Sequence, residues 1–308
     1  MNNIQGYIKP YIGKLGGGDA LNNVEAIKRL PHIIGTEMTS VHNILVVSAI
    51  GSTTRQLNEV FMHYENRNKN SALICLEEIL SKHEEICWEM FSEQETTAIE
   101  LVRKSTRCTA DYIKANFPIL DKKEQAHAKI LSLGEVMSWH IVSEFLSRNG
   151  FENFKLDSRE VVKTAGEKYT NAIVDVQITF NRIAKEITSL GVIPKYIVCQ
   201  GFLGSKASSN TTTLGYEGSD YSASVYAAYF GGYLKFFKKY AYHDTDPESN
   251  PNAIHLESVH IDDLEKDVNR PDKKPILHRL TLQVMKEFNV TGEIISCSDL
   301  NRRTRIVF

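Results

Sequence analysis

An apolar run, a loop of small residues and an alanine-rich run follow one another between residues 196 and 228. This order constrains the fold more than any other feature of the chain. The apolar run is typical of a buried strand, and the alanine-rich run is typical of a helix. Glycines in the loop let the backbone approach a ligand, and the N-terminus of a helix favours negative charge. The order therefore predicts a phosphate-binding loop in an α/β protein.

Strand and helix patterns alternate along the rest of the chain, which favours an α/β fold with a mainly parallel sheet. Strands are expected over residues 7–12 and 44–48, and Asp19 is placed to cap the helix that follows the first strand. Other strands are expected over residues 233–242, 293–297 and 305–308. Helices are expected over residues 55–150, 169–191 and 276–288.

The size and charge of the chain narrow its possible functions. The 308 residues are enough for one large α/β domain or two lobes. The 36 basic and 38 acidic residues nearly balance, so we expect no nucleic-acid partner. Neither a membrane span nor a secretory signal is evident. Five scattered cysteines without CxxC spacing argue against structural disulfides and a zinc site. We therefore expect a cytoplasmic protein with no membrane partner and no protein-held metal.

The residues of the loop itself, 201–223, resemble the aspartokinase branch of the amino acid kinase family. There the segment reads roughly G-F-x-G, a short spacer and T-T-T-L-G-R-x-G-S-D-Y-[ST]-A, and this chain matches most positions. The resemblance implies a three-layer α/β sandwich with a mainly parallel central sheet and two lobes. It also implies an ATP-dependent carboxylate kinase, which transfers the γ-phosphate of ATP to the side-chain carboxylate of aspartate and forms an acyl phosphate.

A lysine beside glycines, in residues 13–17, resembles the family motif K-F-G-G-[TS]-S. A positioned ammonium and backbone N–H groups stabilise a phosphoryl group during transfer. Taken alone, the segment is equally a strand-to-helix turn with a surface lysine. The resemblance implies that Lys14 and Asp220 are catalytic, with Asp220 ordering the catalytic centre through Lys14. Gly18 and Asp19 stand where the family has two hydroxyl residues.

Two further segments resemble the substrate-binding motifs of the family. Residues 46–54 resemble V-V-S-A-x-G-x-T-[TN], which implies that Ser48 and Thr53 face the substrate. Residues 133–138 resemble x-G-E-x-[LM]-S at a helix start, which implies that Glu135 holds the amino group of the substrate. A glutamate in a first helical turn also simply complements the helix dipole. The resemblance adds Tyr216, Gly218 and Ser219 to the substrate site, and it gives the nucleotide site Gly16, Gly17, Gly51, Lys238, Asp246 and Lys274.

Three departures from the family pattern affect the substrate and nucleotide sites. Tyr216 stands where the family arginine grips the substrate α-carboxylate, and tyrosine lacks the bidentate fork of arginine. Glu217 replaces a glycine that many members have, and Glu248 replaces an arginine of the nucleotide region. Three functions stay open: an aspartokinase-like enzyme, the same chemistry on another small acid, or a non-catalytic binding or regulatory homologue. We favour activity, because Lys14 and Asp220 are kept.

The resemblance covers residues 7–308 and ends where larger aspartokinases carry a regulatory domain. It implies a single amino acid kinase domain, 1–308, without a C-terminal regulatory domain. An N-terminal substrate-binding lobe, 1–192, would carry a helical insert at about 55–150, and 193–308 would form a nucleotide-binding lobe. The resemblance further implies ATP and Mg²⁺ as cofactors, a homodimer and a role in amino-acid biosynthesis.

Overall fold

The computed structural model describes residues 9–92, 96–116, 122–270 and 275–308. Its strands are β1 (Tyr11–Leu15), β2 (Asn43–Val47), β3 (Phe154–Leu156), β4 (Thr164–Ala165), β5 (Ile173–Val174), β6 (Tyr196–Gln200), β7 (Leu203–Ser205), β8 (Thr211–Thr213), β9 (Tyr233–Lys238), β10 (Ser258–His260), β11 (Gly292–Ser296) and β12 (Arg303–Val307). Its helices are α1 (Val24–Lys28), α2 (Leu30–Glu37), α3 (Thr53–Glu65), α4 (Lys69–Phe91), α5 (Thr97–Ala115), α6 (Lys123–Arg148), α7 (Ser158–Val161), α8 (Val176–Ser189), α9 (Gly218–Phe230), α10 (Ile261–Asp267) and α11 (Arg279–Glu287).

An eight-stranded sheet forms the centre of the described chain, in the order β10-β12-β11-β9-β1-β2-β6-β3. Neighbouring strands are parallel except for the antiparallel pair β11 and β12. The central strands β2 and β6 are buried at every residue. Their near-continuous apolar sequences suit a parallel sheet that is covered on both faces. The predicted α/β fold with a mainly parallel sheet is confirmed.

Helices cover both faces of this sheet and give the molecule three layers. Alternate residues of β2 point to opposite faces, so Leu45 and Val47 join one core cluster while Ile44 and Val46 join the other. The first cluster is completed by α2 to α6, and the second by α8, α9, α10 and α11. The helices α3 to α6 occupy the segment where the sequence predicts continuous helix.

Two predictions at the N-terminus need correction. The first strand runs from Tyr11 to Leu15 rather than over residues 7–12, of which 7 and 8 lie outside the described residues. It starts after Pro10, which has no N–H to give to a sheet. Asp19 does not cap the next helix, because Asn23 does so with a side-chain oxygen that accepts from the Ala26 N–H at 2.9 Å. Lys14 therefore lies within a strand, and the Asp19 carboxylate is left for another role.

The loop between β6 and α9 is more regular than its composition suggests. It contains the antiparallel hairpin of β7 and β8, and α9 begins at Gly218 rather than near residue 222. Of residues 169–191, only 176–189 are helical, and 173–174 form the strand β5. Strand β9 ends at Lys238, short of the predicted residue 242. With these observed bounds, the ends of several strands and the start of α9 lie at one edge of the sheet.

β6 belongs to the predicted C-terminal lobe, yet it lies between β2 and β3 of the predicted N-terminal lobe. The central sheet is thus continuous across the predicted boundary near residue 192, and the division into two lobes stays a prediction. Within the described ranges, the helices include none whose length and apolar character would let it cross a membrane.

Candidate active site

A cavity of about 930 Å³ opens at the C-terminal ends of the parallel strands β1, β2 and β9. Ligands of α/β proteins generally bind at this edge of the sheet, because loops and helix N-termini converge there. Three of its walls come from the turn after β1, the segment from Ser48 to Asn58, and the first turn of α9. A fourth wall is the face of α6 that carries His127, Leu131 and Glu135.

Two lysines converge on one buried aspartate at the bottom of this cavity. Nζ of Lys14 lies 2.7 Å from Oδ1 of Asp220, and Nζ of Lys238 lies 2.7 Å from Oδ2. Burial alone raises the pKa of Asp220, but the two ammoniums outweigh it and hold the pKa below its usual range. Burial likewise lowers the pKa of Lys238, and Asp220 and Glu217 raise it well above its usual value. Asp220 and Lys238 are therefore charged at neutral pH.

Each member of this cluster is positioned by its secondary structure. Lys14 is the fourth residue of β1, and Lys238 is the last residue of β9, the strand that pairs with β1. Asp220 lies in the first turn of α9, where the helix dipole favours a negative charge. The sequence places Lys14 and Asp220 together by resemblance, and the structure brings both to the same point.

The turn after β1 needs two glycines because the backbone passes very close to other groups. A Cβ on Gly16 would lie 2.7 Å from Oδ2 of Asp19 and 3.2 Å from Nζ of Lys14. A Cβ on Gly17 would lie 2.2 Å from the Ala49 carbonyl oxygen. Gly51 closes the turn, since its N–H donates to the Gly17 oxygen at 3.1 Å. All three glycines line the cavity.

Asp19 faces the cavity, and burial acts on its carboxylate in the direction of protonation. Burial raises the pKa of Asp19, while Lys14 and Lys238 partly oppose the shift. A backbone hydrogen bond from Lys239 also acts on this carboxylate. Sequence patterns predict a helix cap for Asp19, so its place in the cavity is a finding of the structure.

The N-terminus of α9 is open towards the cavity. Glu217 precedes the helix with φ at +52°, and no side chain caps the first N–H groups. Backbone carbonyls accept from two of these groups, since the Gly218 N–H donates to the Gly215 oxygen at 2.9 Å and the Asp220 N–H to the Glu217 oxygen at 3.0 Å. Among the described residues, the Ser219 N–H is left for an anion. The Glu217 carboxylate instead lies 3.4 Å from Nζ of Lys238. Gly218 and Ser219 line the cavity, and Tyr216 lines it with 61% of its surface exposed.

Glu135 lies in the middle of α6, not at the helix start that the sequence predicts. Its neighbour Gly134 has a low helix propensity, which suggests a helix boundary. In the structure, Gly134 instead lets α6 pack closely against Ala49, because a Cβ at position 134 would lie 2.9 Å from Cβ of Ala49. Oε1 of Glu135 accepts from the Ala49 N–H at 3.3 Å, while Oε2 has no hydrogen-bond partner among the described residues. Burial raises the pKa of Glu135 to about 8.

Of the two adjacent threonines at the start of α3, the structure brings Thr54 and not Thr53 to the cavity. Thr53 is buried, and its hydroxyl donates to the Ile50 carbonyl at 2.6 Å. Successive residues of a helix point about 100° apart, so only one of the pair can face the ligand. The structure therefore places Thr54 on the cavity wall and Thr53 behind it, and the substrate role of Thr53 stays a prediction. Ser48 lines the cavity, and its substrate role also stays a prediction.

Aromatic and polar residues line the far end of the cavity, beyond Lys238. Asp246 lies there, and its carboxylate accepts from the Glu248 N–H at 2.9 Å. The exposed side chains of Lys239 and Glu248 pair at 2.7 Å. The predicted nucleotide residue Lys274 lies outside the described residues. The same end includes Tyr240, Tyr242, His243, Pro247, Pro275 and Ile276.

The helical segment contributes cavity residues that the sequence motifs do not reveal. Arg55 and Asn58 of α3 and His127 of α6 line the cavity. Nε2 of His127 lies 2.9 Å from Oδ1 of Asn58, and its ring stacks on Phe61 with the ring centres 3.9 Å apart. The sequence gives one signal for Arg55, which is that a charged residue directly follows the motif at residues 46–54.

Comparisons with known proteins agree with this geometry. A family model described as the amino acid kinase family matches residues 10–296. The aspartokinase of Chlamydia trachomatis serovar D is 26% identical over 306 residues, covering 94% of this chain and 64% of that protein. The aspartokinase of Chlamydia muridarum is 30% identical over 209 residues, covering 68% and 43% respectively. The chain thus spans less than two thirds of these curated relatives.

Solved structures show the same fold. Aspartokinase III of E. coli, in complex with aspartate and ADP, superposes with a TM-score of 0.80 at 18% identity, covering 97% of this chain and 65% of that one. Aspartate kinase of Clostridium acetobutylicum gives a TM-score of 0.74 at 16% identity, covering 96% and 62%. At these identities the likeness concerns the fold alone.

Proposed function

The chain belongs to the amino acid kinase family, and from this premise we propose that it transfers the γ-phosphate of ATP to the side-chain carboxylate of aspartate. The product would be an acyl phosphate. A cytoplasmic location, a homodimer and a role in amino-acid biosynthesis belong to the same proposal. The observation that carries it is the convergence of Lys14 and Lys238 on Asp220 at the bottom of the cavity.

These two ammoniums suit phosphoryl transfer because negative charge spreads over the oxygens of the moving group. Asp220 neutralises one of the two positive charges and fixes both side chains in place. The charges of Lys14, Lys238 and Asp220 sum to one positive charge, which the Glu217 carboxylate, 3.4 Å from Lys238, partly offsets. The Ser219 N–H at the start of α9 and the turn at Gly16 and Gly17 add backbone N–H groups on the same side.

Glu135 suits the substrate ammonium in both position and charge. It is buried, it lines the cavity, and its Oε2 lacks a partner among the described residues. With its pKa raised to about 8, the empty site favours the neutral acid at pH 7. An ammonium beside this carboxyl would lower the pKa and restore the ionised form. Binding of an amino acid would thus satisfy the atom that the empty site leaves unpaired.

The residues present also fit ATP and Mg²⁺. Mg²⁺ takes oxygen ligands and commonly binds one or two carboxylates together with substrate phosphates. Both oxygens of Asp220 are held by lysines, so Asp19 is the carboxylate near the phosphate end that is suited to the ion. Bound there, Mg²⁺ would neutralise charge on the phosphates. Tyr240, Pro247 and Ile276 offer apolar surface for a nucleotide base at the far end.

Tyr216 favours a second candidate, the same chemistry on another small acid. A carboxylate is best held by a cation, and the phenol of Tyr216 supplies none at the start of α9. The cavity is large enough for acids other than aspartate beside a nucleotide. Glu135 nevertheless favours a substrate that carries an amino group, which keeps aspartate as the first proposal.

Trapping of the acyl phosphate with hydroxylamine tests this function. The purified chain is incubated with ATP, Mg²⁺ and either aspartate or one of a panel of small acids, and hydroxamate is measured beside ADP release. We expect hydroxamate with aspartate and its loss in Lys14→Ala. The exposed Lys266→Ala is the matched control. Product with another acid alone would move the proposal to that acid. A folded chain with no turnover would favour a binding or regulatory role.

A further inference from the structure

We propose that Arg55, with Asn58 one helical turn later, binds the α-carboxylate of the acid substrate. The inference rests on the proposed function, since it assigns a specificity residue to the same site. Aspartate carries two carboxylates and one ammonium. One carboxylate must lie at the phosphate end for transfer, and Glu135 suits the ammonium. The second carboxylate needs a cation of its own within the cavity.

Four lysine and arginine side chains line the cavity within the described ranges: Lys14, Arg55, Lys238 and Lys239. Lys14 and Lys238 are held by Asp220 at the phosphate end. Lys239 pairs with Glu248 at the far end. The guanidinium of Arg55 has no hydrogen bond or ion pair with any described residue. It is therefore the cation that remains for a second carboxylate.

The packing of α3 on α6 places Arg55 and Glu135 on walls of the same cavity. At the start of α3, Thr53 packs on Gly134, since a Cβ there would lie 3.3 Å from Cγ2 of Thr53. Arg55 is two residues further along α3 and about 200° further round the helix, so its side chain points away from this contact. Both Arg55 and Glu135 line the cavity. One wall of the cavity thus offers a guanidinium and another offers a carboxyl group to an amino acid bound between them.

Asn58 supplies neutral donors beside Arg55. Residues three apart are neighbours on a helix surface, so Arg55 and Asn58 present one face of α3 to the cavity. His127 engages the Asn58 side-chain oxygen at 2.9 Å, which fixes the amide and leaves its nitrogen to donate. The stacking of His127 on Phe61 holds this pair in place. A charged fork and an amide donor together form a site suited to a carboxylate.

A comparison of aspartate with β-alanine tests the inference directly, because β-alanine is aspartate without its α-carboxylate. KM and kcat are measured for both acids with the wild type, Arg55→Ala, Arg55→Lys and Arg107→Ala. Arg107 is an exposed arginine of α5 outside the cavity and is the matched control. Arg55 is itself exposed, so its variants are expected to fold, which circular dichroism checks.

We expect Arg55→Ala to raise the KM for aspartate by about tenfold to a hundredfold, the range for a hydrogen bond to a charged group. The KM for β-alanine and the kcat for aspartate should change little, and Arg55→Lys should recover part of the loss. Equal effects on both acids, or none on aspartate, would overturn the inference and leave the proposed function standing. If the wild type phosphorylates neither acid, the proposed function fails. Calorimetric binding of the two acids to wild type and Arg55→Ala then decides the role of Arg55.

Discussion

The carboxylate of Asp220 lies 2.7 Å from the ammonium of Lys238, on the oxygen that faces away from Lys14. One buried acid thus orders two buried bases that come from different strands of the sheet. The charges of Asp220 and the two lysines sum to one positive charge, which Glu217 partly offsets beside Lys238. The contact between Asp220 and Lys238 therefore contributes both to the stability of the central sheet and to the chemistry of the site.

Asp220→Asn should therefore damage both folding and turnover. The amide has nearly the shape of the carboxylate but leaves the buried ammonium of Lys14 without a counter-charge and Lys238 with Glu217 alone, which costs about 3–5 kcal/mol. The pKa of Asp220 is lowered in the folded state, so its contribution is present above the unfolded value of 3.8 and is lost as the pH falls below it. Urea unfolding at pH 7 and at pH 3 measures both effects.

Asp262→Asn is the matched control for this prediction, because Asp262 is exposed and pairs with Lys286 on the surface. The control should change unfolding little at either pH. An Asp220→Asn chain as stable as wild type at pH 7 would show that the lysine cluster does not depend on this carboxylate.

Much of this cluster can be predicted from sequence, because glycine and lysine motifs reflect a fixed backbone around phosphate. Lys14, Asp220 and the turn at Gly16 are of this kind. Arg55 and His127 are not, because the packing of two helices far apart in sequence brings them to the cavity. No local pattern records that packing, so the wall that would select the substrate emerges only in the folded chain.

The errors in helix position have physical causes of the same sort. Gly134 suggests a helix boundary, but it lies inside α6, where the segment around Ala49 approaches too closely for a side chain. Thr53 and Thr54 are equivalent in a motif, and the rotation of α3 decides which of them faces the cavity. Residue propensity and motif spacing determine whether a segment forms a helix or a strand. Close packing determines where a helix begins and ends and which of its side chains face the cavity.

The two threonines give a prediction that separates stability from activity. Thr53→Val removes a buried hydroxyl that donates to Ile50, and it should lower the free energy of unfolding by about 1 kcal/mol. Thr54→Val should leave unfolding nearly unchanged and raise the KM for the acid substrate. Urea unfolding and hydroxamate kinetics are measured on both variants. The reverse pattern would restore the register that the motif suggests.

Glu135 should make stability depend on pH in the opposite sense to Asp220. Folding raises the pKa of Glu135 from 4.5 to about 8, so the folded state binds a proton more tightly. The contribution of Glu135 to the free energy of unfolding is then greatest below pH 4.5. It declines as the pH rises towards 8, by a total on the order of 4–5 kcal/mol. Glu135→Gln should remove this decline while weakening binding of the amino acid.

The pH dependence of unfolding between pH 5 and pH 9 measures this term, with Glu100→Gln on the exposed face of α5 as control. The stability of Glu135→Gln relative to wild type should increase steadily with pH. Saturating aspartate should oppose the decline in the wild type, because its ammonium stabilises the ionised carboxylate. A constant difference between the two proteins would contradict the assigned burial of this charge.

Tyr216→Arg should raise kcat/KM for aspartate. The side chain at this position is largely exposed within the cavity, so the longer arginine can enter without displacing the core. A second guanidinium strengthens carboxylate binding, and the gain should be larger in an Arg55→Ala background, where no other cation competes for the carboxylate. Tyr216→Lys controls for charge without the planar fork. No gain in either background would show that position 216 does not reach the substrate.

Glu217 gives the last prediction, because its backbone and its charge can be tested separately. Its φ of +52° is a conformation that glycine adopts without strain, so Glu217→Gly should stabilise the fold by about 1 kcal/mol. Glu217→Gln keeps the strained backbone and removes only the negative charge near Lys238. It should leave stability almost unchanged and tighten ATP binding by about two- to fivefold, as expected for a partly screened pair.

Isothermal titration of ATP–Mg²⁺ and urea unfolding on both variants distinguish the two effects. If Glu217→Gly tightens ATP binding no more than Glu217→Gln, the charge alone limits the nucleotide. If Glu217→Gln weakens ATP binding, the carboxylate assists the nucleotide instead of repelling it, and it would join Asp19 as a group that holds Mg²⁺. The replacement of a glycine by glutamate beside Lys238 would then be a functional change and not a cost to the site.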